Sequence, residues 1–131
     1  MKLESGTENF YFIVRPFLKE FLEDMTKHFT LVVFTASLQE YADEIINIID
    51  PTRIISKRFY RHNCYYHETG YIKDLSKICK NYKDAIMVDD STVAISVNRE
   101  NSILVSMWNG NMEDYELMQL KDTLLKIING K

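Results

Sequence analysis

Apolar side chains along this chain switch between two rhythms, and the switches mark its elements. Leu18, Phe21, Leu22 and Met25 fall at i, i+3, i+4 and i+7, one face of a helix. Pro16 stands ahead of them and opens that helix where its lack of an N–H costs nothing. Thr30 to Phe34, apolar from Leu31 onward with two valines, is too short for a helix. It fits a strand covered on both faces, as in a parallel sheet. Leu38 to Ile49 returns to the helical period, with Tyr41, Ile45 and Ile48 or Ile49 inward, and Asp50-Pro51 stops it. Ile54 to Tyr60 is a weaker strand. Tyr65-Tyr66 and Tyr71-Ile72 flank a turn ending in Gly70, a β-hairpin. Asp74 can cap a short helix carrying Leu75 and Ile78. Ala85 to Val88 and Ile103 to Ser106 are two further strands. Asn111 caps a last helix with Leu117, Leu120, Leu124 and Ile127 inward, ended by Asn129-Gly130. Upstream, Asn9 to Val14 is aromatic and β-branched and reads as a strand.

Strand and helix alternating in this order predict an α/β fold built on a parallel sheet with right-handed crossovers. Residues 9–131 make one domain. Residues 1–8 are polar and read as an unstructured start, and Gly6-Thr7-Glu8-Asn9 resembles part of an engineered protease-site linker. With 131 residues, 46% of them hydrophobic, the chain can bury a core without staples. A net charge of −3 gives no general basic footprint for nucleic acid. The longest apolar runs are far too short to span a bilayer, and no signal-peptide pattern opens the chain. The expected location is therefore intracellular, nuclear or cytoplasmic. Four scattered glycines exclude a Gly-rich phosphate loop. Cys64 and Cys79 suit a reducing compartment, and Cys64 with His62 and His67 matches no zinc-finger spacing.

In open parallel sheets, ligands bind outside the carboxyl ends of the strands. Thr35, Ala36 and Ser37 follow the strand ending at Phe34. Asp89, Asp90 and Ser91 follow the strand ending at Val88, and Lys73 follows the hairpin. Each has a plain structural reading. Thr35 and Ser37 could cap the helix near Leu38, Asp89-Asp90 could form a turn, and Lys73 could be a solvated surface lysine. Together they form a constellation for phosphate and magnesium. Thr35 can donate to a phosphoryl oxygen, Lys73 can neutralise it, and Mg²⁺ needs only one or two carboxylates with waters.

At these residues the sequence resembles the small phosphatases acting on the C-terminal domain of RNA polymerase II, including the Dullard type, in the haloacid dehalogenase superfamily. The matching blocks are Val14 to Leu22, Leu31 to Leu38 (LVVFTASL), Tyr41-Ala42-Asp43, Arg58 to Cys64, Gly70 to Ser76 and Val88 to Ser91, with Asn101, Trp108 and Asn109. The resemblance implies a three-layer Rossmann-like sheet with a small β-hairpin insertion. It implies Thr35, with Ser37, as the phosphate-holding hydroxyl motif and Lys73 as the neutralising lysine. Asp89 becomes the acid near metal and lysine, and Asp90 a metal ligand. The implied reaction is Mg²⁺-dependent phosphoryl transfer through an aspartyl-phosphate, on phosphoserine or phosphothreonine in protein segments.

One departure from the family pattern is decisive. The first motif, Asp-x-Asp-x-Thr, supplies both nucleophile and general acid in the family, and it is absent here. The acids before Thr35 are Glu4, Glu8, Glu20, Glu23 and Asp24, and none stands in a D-x-D pair. The expectation is a phosphatase domain inactive as this chain, with a non-catalytic phosphopeptide- or protein-binding module as the alternative. The absent segment would also be the central strand. Three expectations follow: Asn9 to Val14 occupies the vacant place, a strand-swapped homodimer fills it, or the chain is a fragment of a longer product.

Overall fold

The computed structural model describes residues 13–130, and residues 2–5 and 8–11 as backbone strands. The elements in chain order are β1 (Lys2–Ser5), β2 (Glu8–Tyr11), α1 (Leu18–Met25), β3 (Val32–Phe34), α2 (Gln39–Ile49), β4 (Lys57–Phe59), β5 (Tyr65–His67), β6 (Gly70–Ile72), β7 (Met87–Asp89), β8 (Ser102–Leu104) and α3 (Glu116–Asn129). Four strand pairs result. Two are parallel, β3 with β4 (Val32↔Lys57 to Phe34↔Phe59) and β7 with β8 (Met87↔Ser102 to Asp89↔Leu104). Two are antiparallel hairpins, β1–β2 and β5–β6.

The parallel pairs are joined by the layer beneath them and not by their backbones. Met25 of α1, 1% exposed, meets Leu117, Leu120 and Leu124 of α3. Against this cluster pack Leu31 at the foot of β3, Ile86 ahead of β7, and Ile103 and Val105 in and after β8. Lys121 of α3 reaches Asp24 of α1 at 3.1 Å. The helix α2 covers the other pair, with Ala42 and Ile46 against Val33, Ile55 and Tyr60. Among the described residues, no strand bonds between β3 and β7. The strand expected over residues 9–14 does not fill that place: β2 pairs with β1, Ser5 opposite Glu8, and residues 13 and 14 are not strand.

Several local expectations need correction. Pro16 sits two residues before α1, and Phe17 between them takes φ 70°, unusual for a bulky residue. The inward face of α2 is Ala42 and Ile46, while Tyr41 and Ile48 are exposed. The helix α3 starts at Glu116, because Asn111 accepts Glu113 N–H in a turn of its own and Asp114 accepts Glu116 N–H. Ile127 lies outside the core. The strands are not covered on both faces: Val32 is 43% and Val88 38% exposed, and among the described residues no strand pairs β3 with β7. The hairpin stands as expected, with Gly70 at φ 140°. Asp74 does cap the short turn Leu75–Lys77, accepting Ser76 N–H at 3.0 Å.

Candidate functional site

Two strand ends carry the site, and each is finished by the same turn. Thr35 N–H donates to Phe59 O at 2.9 Å, extending the β3–β4 ladder by one residue. Its hydroxyl oxygen then accepts Ser37 N–H at 3.1 Å. On the other pair, Val105 N–H donates to Asp89 O at 3.0 Å, and Asp89 Oδ1 accepts Ser91 N–H at 3.0 Å. In both, a side-chain oxygen captures the amide two residues on and turns the chain off the sheet. Thr35 and Ser37 do not cap α2, whose N-cap, Leu38, has no side-chain cap bond. The Thr35 oxygen accepts, so its hydrogen remains available to donate to an anion.

Lys73 Nζ donates to Asp89 Oδ2, and both side chains are nearly buried, at 12% and 10% exposure. Lys73 N–H donates to Ala94 O at 3.0 Å, so the lysine is anchored to the turn that follows β7. It is no solvated surface lysine. Asp90 is exposed.

Three further residues fasten the segments that carry the site, and residue type alone gave none of them. Cys64 Sγ lies 3.7 Å from the carbonyl oxygens of Thr35 and Tyr60. Burial pushes its thiol up, while the charges of Lys73 and Arg61 pull it down and Asp89 adds to the rise. Its geometry ties Cys64 to the Thr35 half of the site. Arg61 Nε donates to Ala36 O at 2.7 Å, and its guanidinium lies over the Tyr71 ring at 5.1 Å. Arg15 bonds Asp114 at 2.8 and 3.0 Å and Ser106 O at 2.7 Å, tying the segment before α1 to the loop before α3. The hydrogen bond to Asp114 raises the guanidinium further, against burial. The signal for Arg61 and Cys64 was present only as part of the family-matching block Arg58 to Cys64, with no role attached. Trp108 is half-buried and donates to Asn111 O at 2.8 Å, away from the Lys73–Asp89 pair's contacts.

A sequence profile of NLI interacting factor-like phosphatases matches residues 1–131. The chain belongs to this family. A probable C-terminal domain small phosphatase of Dictyostelium discoideum is 35% identical over 130 residues, 97% of this chain and 42% of that protein. The human carboxy-terminal domain RNA polymerase II polypeptide A small phosphatase 2 is 33% identical over 120 residues, 92% of this chain and 44% of that one. The chain thus spans less than half the length of these relatives. Among solved structures, a variant of fission yeast RNA polymerase II CTD phosphatase Fcp1 bound to beryllium fluoride superposes with a TM-score of 0.66 at 20% identity. It covers 98% of this chain and 40% of that one. A second Fcp1 structure gives 0.65 at 23% identity, covering 97% and 38%. The fold is that of the haloacid dehalogenase superfamily.

The family implies magnesium, and the donor set can be tested for it. Mg²⁺ takes six oxygens, of which a protein usually gives one or two carboxylates. Here Asp89 uses one oxygen on Lys73 and the other on Ser91 N–H. Asp90 alone stands outside that network, and among the described residues no three His, Cys, Asp or Glu converge on one point. These side chains do not by themselves make a magnesium site. Among the described residues, no helix is long and apolar enough to cross a membrane.

Proposed function

We propose that this chain is the phosphoryl-holding part of a phosphoprotein phosphatase domain of the RNA polymerase II C-terminal-domain type. Its ligands are phosphoserine or phosphothreonine in protein segments, met inside the cell in the nucleus or cytoplasm. One observation carries the reading. A nearly buried lysine–aspartate pair and a threonine whose hydroxyl oxygen accepts Ser37 N–H stand at the carboxyl ends of two parallel strand pairs.

The chemistry of that arrangement is anion capture. A phosphomonoester dianion competes with Asp89 for Lys73 in a site where water is scarce, so each charge-assisted bond is strong. Thr35 donates a further hydrogen bond, and the Ser37 turn fixes its oxygen. Asp89 then stays behind Lys73 as a counter-charge that orients it. In the family pattern hydrolysis uses a carboxylate nucleophile from an Asp-x-Asp-x-Thr motif, and no D-x-D pair occurs in the 131 residues. The polypeptide as it stands holds the phosphoryl group without turning it over. Magnesium dependence comes to this reading from the family alone, with Asp90 as the carboxylate it would use.

The test pairs binding with turnover. Isothermal titration with a phosphoserine peptide should show saturable binding that falls about tenfold or more in Lys73→Ala. Hydrolysis of para-nitrophenyl phosphate should not exceed that of an Asp89→Asn, Asp90→Asn variant, with or without Mg²⁺. Turnover lost in that double variant would mean that a carboxylate of this chain acts as nucleophile. Absence of peptide binding would refute the capture of phosphate by Lys73.

A further inference from the structure

A second cavity, of about 440 Å³, opens beside the β5–β6 hairpin. His67, Thr69 and Ile72 of the hairpin form one wall. Thr92 and Ser96, in the turn after β7, and Arg99 form the other. The hydrogen-bonding side chains of these walls are hydroxyl, imidazole, phenol and guanidinium groups. No Asp or Glu lines it, although the chain carries 19 of them and has a net charge of −3. The larger groove between α1 and the end of α2, about 600 Å³, has Glu20, Glu23 and Asp50 in its lining. Acid is thus excluded locally from one cavity and not from the other.

Arg99 is exposed, and among the described residues no carboxylate pairs with it. Its planar fork suits the oxygens of a phosphoryl group, which it can meet with two parallel bonds. Ser96 spends its hydrogen on Val93 O at 2.8 Å, so Thr69, Thr92 and the Tyr65 phenol are the hydroxyl donors that remain. Position adds a second argument. Ile72 directly precedes Lys73, and Thr92 directly follows Ser91, whose amide holds Asp89. The Lys73 N–H bond to Ala94 O stitches these two walls together. The cavity lining is therefore chain-adjacent to the Lys73–Asp89 centre on both of its walls.

We propose that this cavity is a second phosphoryl-binding site, filled by another phosphate of the protein segment whose first phosphate meets Thr35 and Lys73. The preferred ligand is then a doubly phosphorylated peptide. This rests on the reading of Lys73 given above. An extended chain advances about 3.3 Å per residue, so phosphoresidues about two to four positions apart are the spacings to try for two neighbouring sites.

Fluorescence anisotropy with the full 131-residue chain tests it, using one peptide sequence carrying no, one or two phosphoserines at those spacings. The doubly phosphorylated peptide should bind about tenfold or more tightly than either singly phosphorylated one. Arg99→Ala should erase most of that gain and leave the singly phosphorylated affinity unchanged. Arg99→Lys should restore part of it, and Thr92→Glu should abolish it by repulsion, with circular dichroism confirming that each variant folds. Equal affinity for one and two phosphates overturns the proposal. So does a gain that survives both Arg99→Ala and Thr92→Glu. Inorganic phosphate is the remaining arm, followed by amide shifts. Shifts at Thr92 and Arg99 without any gain from the second phosphoserine would assign the cavity to a free anion and overturn the peptide claim. If peptides bind through Arg99 but Lys73→Ala changes nothing, the cavity stands as a phosphate site and the reading of Lys73 falls.

Discussion

Thr35 and Asp89 share a turn but not a charge state, and Lys73 sits on the charged one. The consequence is asymmetric. Asp89→Ala leaves the Lys73 ammonium nearly buried without its partner, whereas Thr35→Ala removes a hydroxyl from a half-buried position. We expect Asp89→Ala to lower stability by about 3 kcal/mol in urea unfolding and Thr35→Ala by about 1 kcal/mol. Comparable losses would mean that the lysine relaxes into water. The residues of this centre were legible in sequence to different degrees. Thr35, Lys73, Asp89 and Asp90 could be named because polar types directly after apolar runs are confined to strand ends. Cys64, Arg61 and Arg15 could not. Cys64 meets Thr35 across 29 positions and Arg15 meets Asp114 across 99, and no local pattern encodes such meetings.

The helices show where periodicity stops deciding. In α2, apolar residues occupy positions 41, 42, 45, 46, 48 and 49, too wide a band to select one face. The choice falls to packing, and small Ala42 lets the helix approach Val33 and Tyr60, which carries Ile46 inward and leaves Ile48 outside. Ile46→Ala should therefore cost about 3 kcal/mol and Ile48→Ala less than about 1 kcal/mol in thermal or urea unfolding. The reverse order would restore the face read from sequence. In α1 and α3 the apolar stripe is narrower, and Met25, Leu117, Leu120 and Leu124 were legible as core. The start of α3 was not, because Asn111 and Asp114 each close a turn and either could have served as a cap. The end of α2 is secured from outside the helix. Asp50, 3% exposed, accepts Ile54 and Ile55 N–H at 2.8 and 2.9 Å, and so turns the chain toward β4.

Across the whole molecule, distant segments are fastened by charge, and this sets the pH range in which the fold holds. The hydrogen bond from Arg15 keeps the Asp114 carboxyl below the usual range; the Tyr60 hydroxyl, then Arg58, does so for Asp43; Lys121 does so for Asp24. Values depressed in the folded chain add stability that is present above about pH 4 and lost as pH falls through them. The Asp43 carboxylate, with burial, raises the Tyr60 phenol. That contribution is present below about pH 10 and lost as pH rises through the raised value. Urea midpoints should therefore form a plateau near neutrality with losses on both sides, and a monotonic profile would contradict this. The alternation of strand and helix made the α/β plan legible from sequence, since it rests on local periods. The placing of β2 against β1 was not legible, because an apolar strand pairs with whatever edge it reaches first. The absence of any backbone bond between β3 and β7 has a mechanical consequence. Thr35 rides on one parallel pair and Asp89 on the other, and among the described residues no shared ladder joins the two, which meet through side chains packed on the helices below. A phosphate gripped by both becomes a crossbar, transmitting force between two slabs that rest on a shared bed.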